Sequence, residues 1–165
     1  MSFVEILSGN NHRLKWLWLS VLVIILDQVT KLWASSGLNY AEPVPVMPLV
    51  NLTLLHNTGA AFSFLDGAGG WQRWLFALIA IVVSIVLVLW LRRLEANQRW
   101  LAVALALVLA GALGNLIDRI YLGYVIDFID VYYGNWHWPA FNVADSSIFI
   151  GVVILIFDSL RSGKA

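Results

Sequence analysis

Two aspartates stand out in a chain with few other groups suited to chemistry. Asp127 lies in the apolar run Tyr124-Val125-Ile126-Asp127-Phe128-Ile129-Asp130, and Asp145 follows Pro139-Ala140-Phe141-Asn142 at the head of another. Two carboxylates that converge can divide acid and base work on water, because like-charge repulsion keeps one protonated while the other is ionised. The ionised group takes a proton from water as that water attacks a peptide carbonyl. The protonated group stabilises the developing oxyanion or protonates the leaving amine. Such a pair titrates as a unit, so neither residue has a fixed role as acid or base. Each also has a reading without catalysis. Asp127 alone reads as an exposed loop carboxylate. Asn142 and Asp145, three residues apart, resemble a capping box, and an aspartate in the first turn suits the helix dipole.

The remaining polar groups form two further sets. Asp27 and Lys31 are four apart, in the favourable order for a helical ion pair, and read equally as a salt bridge fixing a helix end or as functional residues. Asn115, Asp118 and Arg119 share one helical face, where the guanidinium fork suits a clamp on carboxylates. A serine nucleophile with Lys31 as base would draw on Ser63, Ser146 or Ser147, but no motif positions them. A metal site would need His56 and His137 to meet, and there is no His-Glu-x-x-His helix; lone loop histidines read as polar surface, and neither metal nor cofactor is expected. The chain has no cysteine, which removes thiolate and disulfide chemistry. Its formal net charge is zero and its longest basic block is Arg92-Arg93, so nucleic acid is not expected as a partner.

These groups must be positioned by elements that live in lipid. The 165 residues are 61% hydrophobic and 12% charged, with a mean hydropathy of +0.81, whereas a soluble domain carries about 25% charged residues. The length suits one domain. Apolar stretches over Leu14 to Trp33, Trp71 to Leu91, Trp100 to Ile117 and Phe141 to Leu160 approach the ~20 residues that cross a bilayer as a helix. The first could pass for a cleavable signal peptide with Ala34 and Ser36 at the cleavage site, but it is long and ends in the polar turn Asp27-Gln28-Val29-Thr30-Lys31. Arg13, Lys15, Arg92, Arg93, Arg99, Arg161 and Lys164 fall on one side of alternating spans, which places both termini in the cytoplasm. The loops from Ala34 to Gly70 and from Asp118 to Ala140 then face outward. All nine tryptophans fall near one interface or the other, where their amphipathic rings are favoured.

Within the first outer loop, Pro43, Pro45 and Pro48 lead into Leu49 to Leu55, then Asn57-Thr58-Gly59, then Ala60 to Leu65. Two β-prone runs around a turn predict a small sheet on the membrane surface, within a cradle over 39–65. Ala104, Ala106, Ala110, Gly111, Ala112 and Gly114 allow close helix packing in the third span. The expected class is therefore an all-α membrane protein with four transmembrane helices and a small extracytoplasmic β element. The costly charges gather toward the outer face, where they read as a functional site.

Five blocks of sequence carry a resemblance: Asp27-Gln28-Val29-Thr30-Lys31, His56-Asn57-Thr58-Gly59-Ala60-Ala61-Phe62-Ser63, Gly111-Ala112-Leu113-Gly114-Asn115-Leu116-Ile117-Asp118-Arg119, Val125-Ile126-Asp127-Phe128 and Phe141-Asn142-Val143-Ala144-Asp145. In this order they resemble the blocks of lipoprotein signal peptidase, that is signal peptidase II, a bacterial aspartyl membrane protease. Ala110 departs from the pattern, since many members carry a second glycine there. The resemblance implies an enzyme of the cytoplasmic membrane that cuts the signal peptide from a prolipoprotein just before its diacylglyceryl-modified cysteine. It implies Asp127 and Asp145 as the catalytic dyad. Asn57, Gly59, Asn115, Arg119 and Asn142 would line or support the site, with Asp27, Lys31 and Asp118 in supporting roles. It also implies membrane lipid and globomycin-type peptide inhibitors as partners.

Two other classes compete for the same residues. A proton or ion transporter could use the acidic groups as a relay, but transporters place sites near the midplane between internal repeats, and neither feature is visible. A non-enzymatic lipid-binding or assembly factor would need no paired carboxylates.

Overall fold

The computed structural model describes residues 11–59 and 69–162, and it is built on four long helices. A 3-10 stretch, Asn11–Trp16, leads into α1 (Leu17–Gly37); α2 (Trp71–Arg93), α3 (Arg99–Tyr121) and α4 (Val143–Ser162) follow. The apolar helical stretches, 19–24 residues each, are long enough for a hydrocarbon core of about 30 Å. Their outward faces carry Leu22, Ile25, Val29, Leu32, Ile85, Phe149 and Phe157, each more than half exposed. In water such faces would be unstable, whereas lipid solvates them and leaves helix association to close packing and hydrogen bonds.

That packing centres on α3, the most enclosed of the four, which contacts each of the others. Small residues permit the approach. A side chain at Gly111 would strike the Ala144 carbonyl and Ser147, and one at Gly151 would lie 2.8 Å from the Ala104 carbonyl. Ser20 Oγ donates to the Ala106 carbonyl at 2.7 Å, and Ser147 Oγ to the Leu107 carbonyl at 3.1 Å, so buried hydroxyls on α1 and α4 are satisfied by the α3 backbone. α2 and α4 flank α3 without substantial packing of their own, which leaves a cleft between them.

The two loops on one end of the bundle build a single antiparallel sheet in the order β1 (Val44–Met47), β2 (Val50–Asn57), β3 (Val125–Tyr133), β4 (Trp136–His137). The expected β element is present, but as a four-stranded sheet that takes the fold beyond all-α, and it moves the expected hairpin. The run from Leu49 to Leu55 does become strand from Val50 onward, but its turn partner is β1 and its other neighbour is β3, 68 or more residues away. The second expected run, Ala60 to Leu65, lies outside the described residues. Val125–Tyr133 is a strand within the outward-facing loop, and its pairing partner β2 is distant in sequence.

Two contacts fasten the sheet to the helices. Ala34, Leu54, Ile126 and Phe128 form a buried apolar cluster between α1 and the two central strands. Phe141, just before α4, exchanges backbone hydrogen bonds with Ile129 at 3.0 and 2.9 Å and also accepts from the Phe128 N–H at 3.1 Å. Because Phe141 is clamped to β3, the start of α4 is carried alongside Asp127.

Candidate functional site

Asp127 is 3% exposed on β3, opposite Leu55, so the exposed-loop reading of this residue is overturned by its pairing. Asn57 Nδ2 donates to one carboxylate oxygen at 3.0 Å and Asn142 Nδ2 to the other at 2.8 Å. Asp127 is pushed up to about 7, chiefly by burial and further by the nearby Asp145 carboxylate, against the lowering effect of the two asparagines and Lys31.

Asp145 comes to the same place on α4. The capping box is present: the Asp145 N–H donates to Asn142 Oδ1 at 2.9 Å, and the Asn142 N–H donates to Asp145 Oδ2 at 3.2 Å. Its other oxygen, Oδ1, accepts from Asn115 Nδ2 at 2.8 Å. Asn142 is therefore shared: its amide bonds Asp127, Asn115 and the Ile126 carbonyl while its oxygen caps the helix that carries Asp145. Asn142 is wholly buried, so the link between the two acids is held rigidly.

Beneath the pair lies a buried ion cluster. Lys31 Nζ contacts Asp27 and Asp118 at 2.9 Å each and donates to Asn115 Oδ1 at 3.0 Å, so its three donors are all used. Asp27 accepts from the Ala144 N–H at 2.9 Å, and Asp118 from the Ile126 N–H at 3.2 Å. Gln28 bridges both aspartates, at 3.1 and 3.0 Å. The cluster thus ties α1 to α3, to the head of β3 and to the first turn of α4.

Arg119 does not act as the carboxylate clamp that its helical spacing suggested. Its guanidinium donates to the Gly59 carbonyl at 2.9 Å and to the Asn115 carbonyl at 3.3 Å, and lies 5.3 Å from the Phe76 ring. Lys31 holds Asp118 instead. Gly59 in turn donates its N–H to Asn57 Oδ1 at 2.9 Å, so Arg119 steadies the loop that orients Asn57.

Both acids line an open cleft of about 1390 Å³. One part is apolar and helical, with Ile79 and Val83 from α2, Val108 from α3 and Ile148 and Val152 from α4. The other is walled by the sheet, including Thr53, Asp130 and His137.

A family model described as Signal peptidase (SPase) II matches residues 19–161. The chain belongs to the signal peptidase II family. Membership makes it a membrane protease of the aspartic type, engaged in lipoprotein processing. It is 62% identical over 148 residues to the lipoprotein signal peptidase of Acinetobacter baumannii, covering 90% of this chain and 84% of that one. To the lipoprotein signal peptidase of Pseudomonas fluorescens it is 60% identical over 159 residues, covering 95% and 94%. Its fold is similar to a solved bacterial membrane enzyme determined by the in meso method, with a TM-score of 0.82 at 36% identity over 90% of this chain and 89% of that one.

Against this signal peptidase II fold, the residues singled out in the sequence fall into one connected network. Asp127, Asp145, Asn57, Asn115 and Asn142 meet at the cleft, Arg119 and Gly59 meet beside it, and Asp27, Lys31 and Asp118 meet below. Three participants were missed in these roles. Gln28 lay within the first block and is the amide that completes the ion cluster. Asp130 and His137 form a 2.8 Å contact on the cleft wall, so His137 is not a lone surface histidine. Their separation in the hairpin gave no helical or motif spacing to find them by. His56, the other histidine considered as a ligand, stacks on Tyr124 with ring centroids 4.0 Å apart.

Proposed function

We propose that this protein removes the signal peptide from diacylglyceryl-modified prolipoproteins, with Asp127 and Asp145 activating water to cut the bond before the lipidated cysteine. The observation that carries the reading is the shared asparagine: two acids from a strand and a helix, 18 residues apart in sequence, are linked through Asn142 at one cleft. The raised Asp127 supports the reading, since a pair that together keeps one proton near neutrality can divide acid and base work.

In the reaction, the ionised carboxylate takes a proton from water as its oxygen bonds to the scissile carbonyl carbon. The protonated carboxyl hydrogen-bonds the oxygen on which charge develops. Collapse of the tetrahedral intermediate breaks the C–N bond as a carboxyl proton passes to the leaving nitrogen. The products are the carboxylate end of the signal peptide and the amino group of the lipidated cysteine. Asn57, Asn115 and Asn142 keep the two acids oriented, and the ion cluster holds the elements that carry them.

The apolar, helix-walled part of the cleft accepts a membrane helix or acyl chains from the hydrocarbon side, while the acids stand at its wet end. With both termini cytoplasmic, that end faces outward from the cytoplasmic membrane. Globomycin-type peptides would occupy the same cleft. The decisive experiment is cleavage of a lipid-modified precursor by purified, inserted Asp127→Asn and Asp145→Asn variants. Each is expected to fold and to release no signal peptide, and turnover near the wild-type rate in either would overturn the dyad.

A further inference from the structure

A second polar group faces the cleft with no part in the water-activating pair. Asp130 is 5% exposed and accepts three hydrogen bonds, from Asn51 Nδ2 at 3.2 Å, Thr53 Oγ1 at 3.1 Å and the His137 Nδ1 at 2.8 Å. Burial alone would raise this carboxyl, but the bonds from His137, Asn51 and Thr53 outweigh it and hold it below its usual value. An ionised carboxylate only accepts, so the imidazole proton sits on Nδ1. With Nδ1–H given to Asp130, the other nitrogen of that tautomer, Nε2, is a hydrogen-bond acceptor. The His137 side chain is 48% exposed, its ring stacks on Tyr132 with centroids 5.5 Å apart, and both His137 and Asp130 line the cleft.

Position indicates what that acceptor meets. Asp130 lies three residues beyond Asp127 on β3, about 10 Å at strand rise. A precursor threaded from the helix-walled part of the cleft past Asp127 must continue along the sheet, where the chain following the scissile bond would run.

We infer that His137, oriented by Asp130, is a substrate-positioning residue that accepts a hydrogen bond from a backbone N–H on the mature side of the cleavage point. The inference rests on the cleft being the place where a precursor is cut. A backbone N–H is a donor that mature sequences share at nearly every position, so this contact aligns the chain without selecting its side chains.

The test compares wild type, His137→Ala, His137→Gln and Asp130→Ala on two lipid-modified precursors, one with an extended mature segment and one ending directly after the lipidated cysteine. On the extended precursor, His137→Ala is expected to raise KM about three- to tenfold, the size of one hydrogen bond, with kcat unchanged. His137→Gln should recover most of the loss, and Asp130→Ala should resemble His137→Ala. On the short precursor all four proteins should share one KM. An unchanged KM for His137→Ala on the extended precursor overturns the inference, as does an equal rise on both precursors, which would mark a structural role. Cleavage by Asp127→Asn is measured alongside: its persistence counts against the dyad, whereas the His137 comparison is decided by KM on wild-type catalytic residues.

Discussion

Asp127 carries the sharpest consequence at the scale of single residues. Its ordinary value of 3.8 is raised to about 7 in the fold, so the proton is more tightly held in the folded state than in the unfolded one. Two outcomes follow from that sign. Activity that needs a proton on the pair should decline as pH rises through about 7, seen as an alkaline limb in kcat/KM for a lipid-modified precursor. The group's contribution to stability is complete below about pH 4 and is lost as pH rises through about 7. Asp127→Asn, which cannot ionise, should therefore gain in Tm over wild type by a margin that widens from about pH 5 to about pH 8. A constant margin would mean that burial does not perturb this carboxyl. Lys31 presents the opposite case. Lys31→Met leaves Asp27 and Asp118 facing each other with no cation, a loss of about 3–5 kcal/mol that should appear as a large drop in Tm in detergent.

At the scale of elements, the α3–α4 seam is set by backbone proximity. At Gly151 an added Cβ would stand 2.7 Å from Val108 Cγ2 and 2.8 Å from the Ala104 carbonyl, and the carbonyl cannot swing aside. Gly151→Ala should cost about 1–3 kcal/mol by forcing the helices apart. Gly37 has open space around it, so Gly37→Ala provides the matched control with little change in thermal unfolding. Equal Tm values for the two variants would show that the seam tolerates separation. The sheet is an element of the same importance, because its β3–Phe141 pairing brings the two acids together.

For the whole molecule, the question is orientation. Arg92, Arg93, Arg99 and Arg161 stand at one end of the helices, while the proposed catalytic pair, the ion cluster and the sheet lie at the other. The chain has no cysteine of its own, so single cysteines in place of Asn97 and Asn135, both in exposed turns, report each end cleanly. In intact cells with a permeabilised outer layer, a membrane-impermeant thiol reagent should label Asn135→Cys and spare Asn97→Cys. The reverse pattern would invert the topology and place the cleft in the cytoplasm.

Much of this architecture was legible in the amino-acid sequence, for a reason of locality. A helix in lipid satisfies its own backbone, so apolar length alone announces each of the four helices. The Asn142–Asp145 cap and the Asp27–Lys31 pair were likewise readable, because both depend on spacing within one helix. Strand pairing is not local. Nothing near Val125–Tyr133 says that it lies beside β2 and receives Phe141, and so the sequence left Asp127 open to being a loop carboxylate. Nor could helical spacing reveal that Lys31, from α1, would take Asp118 and leave Arg119 to the Gly59 carbonyl. The sequence by itself determined a four-helix membrane protein of the signal peptidase II kind and supplied its acids, amides and cations. Only the tertiary structure decided which of them meet, because each meeting joins distant segments whose contact is set by packing and backbone pairing rather than by neighbours in the chain.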